Sequence, residues 1–184
     1  MNPEVASLLG PAAPEPHYTG EAAPPCPVLV LAMGNILLED EGLGIHALNM
    51  LQRQYELPPE VECLDGGTSG MALLDLISRR KHLLVLDAVQ TGDPPGTLVK
   101  MDDQDVPVYF GLRVTPHQLG LSDVLASLKL NEEQPDQVTV LGLVPVSLEM
   151  SLELSADINA RLGHLIEAVA DELRDLGYPL RPRI

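Results

Sequence analysis

The chain has 184 residues, of which 45% are apolar, 21% charged and 3% aromatic. This length suits one domain, and the core must come from Leu, Val, Ile, Ala and Met rather than from rings. Eleven Lys and Arg against 27 Asp and Glu give a formal charge of −16, which excludes the basic footprint of a nucleic-acid binder and opposes an anionic membrane surface.

Residues 1–26 carry Pro3, Pro11, Pro14, Pro16, Pro24 and Pro25, and neither Lys nor Arg. Proline at this density supports no helix and no central strand, so a flexible extension is expected here, followed by one domain over 27–184. The extension lacks the basic start of a secretory leader and the arginines of a mitochondrial presequence, and no apolar run in the chain reaches the ~18 residues of a membrane span. A cytoplasmic location is the expectation. Val28 to Met33 is a continuous apolar run, as in a buried parallel strand. From Gly42 the spacing turns helical, with Leu43, Ala47, Met50, Leu51 and Tyr55 on one face, until Pro58 and Pro59. Val61 to Asp65 reads as a second strand, Met71, Leu74 and Ile77 as a second helix, and Leu83 to Asp87 as a third strand. Thr97 to Met101 is an edge-strand candidate. A helix carrying Leu121, Val124, Leu125 and Leu128 follows Thr115-Pro116-His117, and Gln137 to Val144 is a further strand. Ser155 can cap a last helix with Ile158, Leu162, Leu165, Ile166, Val169, Leu173 and Leu176 as its stripe, stopped by Gly177 and Pro179. The alternation predicts an α/β fold: a single domain with a central twisted, mostly parallel sheet of about five strands, flanked on both faces by four long helices.

In such sheets ligands bind outside the carboxyl ends of the strands. Acids stand at three such ends: Glu39-Asp40-Glu41 after the first strand, Asp65 at the second and Asp87 at the third. A structural reading, carboxylates capping a turn or helix, competes at each position. Gly34, Gly42 and Gly44 suggest a nucleotide loop, but Gly-x-Gly-x-x-Gly is absent and three carboxylates would repel a pyrophosphate. No Gly-Lys-Ser/Thr, no Gly-x-Ser-x-Gly and no His-Glu-x-x-His occurs. The two cysteines, Cys26 and Cys63, form neither a disulfide framework nor a Cys-x-x-Cys pair, and Cys63 reads as a buried small hydrophobe. Asp65 to Gly70 is not the Asp-Thr-Gly of pepsin-like proteases, and it has no second copy. A carboxylate cluster suits a cation instead. His17 lies in the extension, His46 and His164 fall in helices, and His82 is expected to face solvent. His117 stands between an extended segment and a helix start. Glu41, Asp87 and His117 together offer two oxygens and one nitrogen to a borderline divalent metal.

The segments GNILLEDEGLG (Gly34–Gly44), LDGGTSGM (Leu64–Met71), LLVLDAV (Leu83–Val89), PHQLGLSDVL (Pro116–Leu125) and GLVPVSLE (Gly142–Glu149) resemble, in order and spacing, the maturation endopeptidases of nickel–iron hydrogenases. The similarity spans nearly all of 27–184 and is nearest to the branch serving uptake hydrogenases. The resemblance implies an aspartyl-type endopeptidase that trims the C-terminal extension of a hydrogenase large-subunit precursor after nickel insertion. It implies metal contacts at Glu41, Asp87 and His117. Catalytic assistance is expected from Asp87 and, as a second-tier site residue, Asp65. Nickel is expected to arrive with the precursor, with no organic cofactor, no nucleic acid and no membrane partner, and a monomer is the simplest assembly. A non-enzymatic nickel-binding maturation chaperone is the alternative, weakened by the lack of a His-rich tract.

Overall fold

The computed structural model describes residues 25–103, 105–106 and 116–183, with 116–119 described by backbone alone, so most of the expected N-terminal extension lies outside the described residues. In chain order the elements are β1 (Val28–Met33), α1 (Leu43–Gln54), β2 (Tyr55–Glu56), β3 (Val61–Gly67), α2 (Leu74–Ile77), β4 (His82–Ala88), β5 (Leu98–Asp102), α3 (Pro116–Leu130), β6 (Gln137–Leu143), α4 (Ala156–Asp175) and β7 (Arg181–Pro182). Five strands form one sheet in the order β3-β1-β4-β6-β5. The first four are parallel, and β5 runs antiparallel against β6 at the edge. The fold class, the five strands and three of the four expected long helices match the expectation.

Every residue of β1 is buried because both faces of the sheet are covered. The period-2 alternation divides the core in two. Val28, Val30, Ala32, Leu84 and Leu86 pack with α1 and α4 through Leu48, Leu51, Leu162 and Ile166. Leu29, Leu31, Met33, Leu83 and Val85 pack on the opposite face with Ile77 of α2 and Leu121, Val124 and Leu128 of α3. Each such Leu or Val contributes about 1.5–3 kcal/mol by leaving water. Ser155 caps α4, its side chain accepting the Ile158 N–H.

Three features depart from the sequence-based expectation or escape it. The second helix is a 3-10 turn (Met71–Leu73) followed by the single α-turn of α2. It stops there because Ser78 is extended, Arg79 takes φ 58°, and Arg80 folds back to donate its Nε–H to the Leu76 carbonyl at 2.9 Å. His82 does not simply face solvent. It is half-buried, its ring meets Tyr178 edge-on at 6.3 Å, and its buried Nδ1 has no hydrogen-bond partner. β2 and β7 pair as a two-stranded antiparallel ribbon, with strands of two residues, too short for a periodicity to show.

The crossovers position the site. From β1 the chain passes through α1 to β3 on one side, then through α2 to β4 on the other. The strand order thus reverses between the neighbours β1 and β4, which opens a crevice beyond their carboxyl ends.

Candidate active site at the carboxyl ends of the strands

Glu41 stands in the 3-10 turn Glu39–Gly42 that follows β1. Gly34 makes that loop possible. It holds φ +127°, and a Cβ there would stand 1.9 Å from the Glu41 carbonyl oxygen, so any larger residue would push Glu41 away. The start of α1 then lies directly over the sheet: a Cβ on Gly44 would be 2.5 Å from the Met33 carbonyl oxygen and 2.3 Å from that of Leu86. Glu41 thus lies three residues before Gly44, which packs on the backbone of Leu86, the residue preceding Asp87.

Asp87 ends the apolar run of β4 and is 1% exposed, while Glu41 is 7% exposed. Asp87 Oδ1 accepts the Ala88 N–H at 2.8 Å. Alternation along β4 turns Asp87 to the face of Val85 and Val89, the face covered by α3. Two carboxylates withdrawn from water at adjacent strand ends form an arrangement suited to a cation or to activating water.

His117 falls in the first turn of α3, and its side chain lies outside the described residues. The backbone of that turn is fixed at Gly120, which crosses Gly70 without side chains between them. A Cβ on Gly120 would be 2.7 Å from the Gly70 Cα. The LDGGTSGM loop and the PHQLG turn thus touch backbone to backbone, on the rim where Glu41 and Asp87 sit.

Asp65 is exposed, and its Oδ1 accepts the Gly67 N–H at 2.9 Å. This closes the irregularity where β1 pairing jumps from Ala32–Asp65 to Met33–Gly67. Asp40, from the same acidic run as Glu41, is fully buried. Its Oδ2 accepts from the Val146 N–H, the Ser147 N–H and the Ser155 hydroxyl at 2.9, 3.1 and 2.9 Å, and its Oδ1 from the Ser155 N–H at 2.8 Å. It ties the loop after β1 to the loop after β6. The sequence carried no signal separating Asp40 from its acidic neighbours. Cys63 is partly buried, and burial, with the Glu62 carboxylate beside it, pushes its thiol up to about 12, so it is no ready nucleophile.

Among the described residues no three His, Cys, Asp or Glu side chains converge as a metal-binding group, and His117 is not among the side chains described. No helix among the described residues is long and apolar enough to cross a membrane.

Comparison with known proteins identifies the family. The family model for hydrogenase maturation protease matches residues 45–172. The hydrogenase 2 maturation protease of Escherichia coli K12 is 42% identical over 157 residues, covering 85% of this chain and 96% of its own. The hydrogenase expression/formation protein HupD of Rhodobacter capsulatus is 39% identical over 151 residues, covering 81% and 70%. The solved structure of the hydrogenase maturating endopeptidase HybD from E. coli matches with a TM-score of 0.82 at 41% identity, over 85% of this chain and 97% of that one. With the family model matching most of the chain and a 42%-identical relative covered over 96% of its length, the chain belongs to the hydrogenase maturation protease family and is a peptide-bond hydrolase.

Proposed function

We propose that this protease removes the C-terminal extension of a nickel–iron hydrogenase large-subunit precursor once nickel has been inserted, and that the nickel enters with the precursor. The observation that carries the reading is the pair of nearly buried carboxylates, Glu41 and Asp87, at adjacent strand ends, on a rim shared with the first turn of α3. Glu41, Asp87 and His117 are the residues that contact the metal. Two oxygens and one nitrogen are a thin set for nickel, which favours nitrogen and sulfur, so this chain holds it only together with thiolates of the precursor. Cleavage is then conditional on loading. In that position nickel supplies Lewis-acid polarisation of the scissile carbonyl or of a water. Asp87, at the end of β4, accepts the proton of the attacking water as a general base. Asp65, already engaged by Gly67, keeps the Gly66–Gly70 loop in place against α3 and serves as the second-tier site residue.

The test is the mass of a matching precursor, loaded or not with nickel, after incubation with this protein. Loss of a C-terminal peptide from the loaded sample alone is the expected result. His117→Ala and Glu41→Gln abolish that loss. Cutting of the unloaded precursor at equal rate overturns the gating. Binding of free nickel by this chain, with a loaded precursor left intact, makes it a metal carrier instead.

A further inference from the structure

Ten large apolar side chains are exposed among the described residues, and six of them belong to two neighbouring loops. Ile36 and Leu37 follow β1, and Val146, Leu148, Met150 and Leu152 follow β6. Exposed apolar groups scattered singly carry no meaning, but a contiguous cluster on a soluble domain marks a contact surface.

These loops are held in one shape. Leu38 and Ser151 form a parallel bridge, with the Glu39 N–H donating to the Ser151 carbonyl at 3.0 Å and the Ser151 N–H to the Leu37 carbonyl at 3.1 Å. Asp40 fastens both loops from beneath. Within the second loop the Ser147 hydroxyl accepts the Glu149 N–H, and the Ser151 hydroxyl accepts the Glu153 N–H. The backbone bonds are thus satisfied internally while the side chains stand in water, Met150 at 87% exposure. A surface ordered before contact loses little conformational entropy on binding.

We infer that this ledge is the docking surface for the body of the precursor, which meets it with an apolar strip bordered by Lys or Arg. This deepens the proposed function and rests on that reading. Two observations select the occupant. The ledge is continuous with the active site, because Asp40 and Glu41 are consecutive and the ledge begins at the loop that carries both. Its border is acidic, through Glu39, Glu149 and Glu153, on a chain of formal charge −16. A second copy would bring the same acids against themselves, whereas a basic-edged partner is drawn in. The ledge anchors the precursor so that its C-terminal segment crosses Glu41 and Asp87. It supplies binding and leaves the chemical step alone.

The test measures precursor affinity and cleavage for wild type, Met150→Ser/Leu152→Ser and Met150→Asp/Leu152→Asp. The expected result is a KM and a directly titrated Kd at least about tenfold higher in both double variants, which corresponds to about 1.4 kcal/mol, with kcat at saturation within about twofold. On the unmutated protein, hydrogen exchange at the amides of 146–152 slows when the precursor binds. Cleavage and binding by wild type, with unchanged affinity in both variants and no exchange protection, overturn the docking assignment and leave the proposed function standing. A loaded precursor that the wild-type chain neither binds nor cuts overturns both. A wild-type dimer in sedimentation that both variants dissociate assigns the ledge to a second copy and overturns the inference.

Discussion

Asp40 and Ser155, 115 residues apart, are joined twice: the Ser155 N–H donates to Asp40 Oδ1 at 2.8 Å and the Ser155 hydroxyl to Oδ2 at 2.9 Å. The same hydroxyl oxygen accepts the Ile158 N–H and so caps α4. One buried carboxylate therefore organises the loop after β1, the loop after β6 and the start of the longest helix. Asp40→Asn turns one acceptor oxygen into a donor facing N–H groups. Loss of about 2–3 kcal/mol is expected, since buried donors are left unmet. Urea unfolding with an unchanged m-value checks this, and a shift below 0.5 kcal/mol on the ~1 kcal/mol scale of a single bond would sink it.

The crossing of Gly70 with Gly120 makes a second prediction. Alanine in mid-helix normally stabilises by up to ~1 kcal/mol over glycine. At Gly120 its methyl would stand 2.7 Å from the Gly70 Cα, so Gly120→Ala should instead cost about 1–3 kcal/mol through overpacking. Because the displaced turn carries His117, precursor cleavage should fall on the order of a hundredfold, more than the stability loss alone produces. A variant that melts higher than wild type and cuts normally contradicts the assignment.

Arg80 is 4% exposed and lies at the opposite, amino-terminal end of the strands. Its Nη1 donates to Glu62 Oε2 at 2.7 Å and to the Cys26 carbonyl at 2.9 Å, and its Nε to the Leu76 carbonyl. Arg80→Ala strands these acceptors, and a loss of about 2–3 kcal/mol follows. Arg80→Lys should recover under half of it, because a lysine ammonium lacks the guanidinium fork. Cleavage by either folded variant should stay near wild type. Equal stability of the Lys variant and wild type would show that charge alone matters there.

Cys63 gives a pH-dependent readout. Its thiol is pushed up from 9.0 to about 12 by burial and by Glu62. At pH 9 about one native thiol in a thousand is ionised, against half in the unfolded chain. Iodoacetamide labelling of Cys63 should therefore accelerate by about five hundredfold in guanidinium, read by peptide mass. The folded value is the raised one, so this group's contribution to stability is full below pH 9 and declines as pH climbs toward 12. Comparable labelling rates in native and denatured protein would contradict this environment. Cys63→Ala should cleave normally.

The sheet was legible because its central strands are unbroken apolar runs and its long helices keep a clear stripe. Val28 to Met33 and the Ile158-to-Leu173 stripe appear as read. The acids at the strand ends were legible because they interrupt Leu and Val, and Glu41 and Asp87 stand at the ends of the adjacent strands β1 and β4. Roles within an acidic cluster were not. Asp40 and Glu41 are adjacent in sequence, yet one is consumed by donors more than a hundred residues away, a fact no local pattern carries. Asp65 ends an apolar strand as Asp87 does, but lies exposed against Gly67, because β3 runs at the sheet edge and β4 within it. The short α2 was illegible because its end depends on Arg80 reaching partners distant in sequence.

The placement of Glu41 and Asp87 also bears on how the enzyme fails when warmed. Asp87 belongs to β4, gripped on both sides by β1 and β6, whereas Glu41 stands in the 3-10 turn after β1, which Asp40 ties to the loop after β6. Peripheral loops open at lower free energy than central strands. The two carboxylates are therefore expected to separate while the sheet is still intact. Catalysis is then expected to fade before the far-ultraviolet dichroism and to return on cooling, which parallel melts of activity and dichroism check; the temperature limit of the protease would lie in its loops rather than in its core.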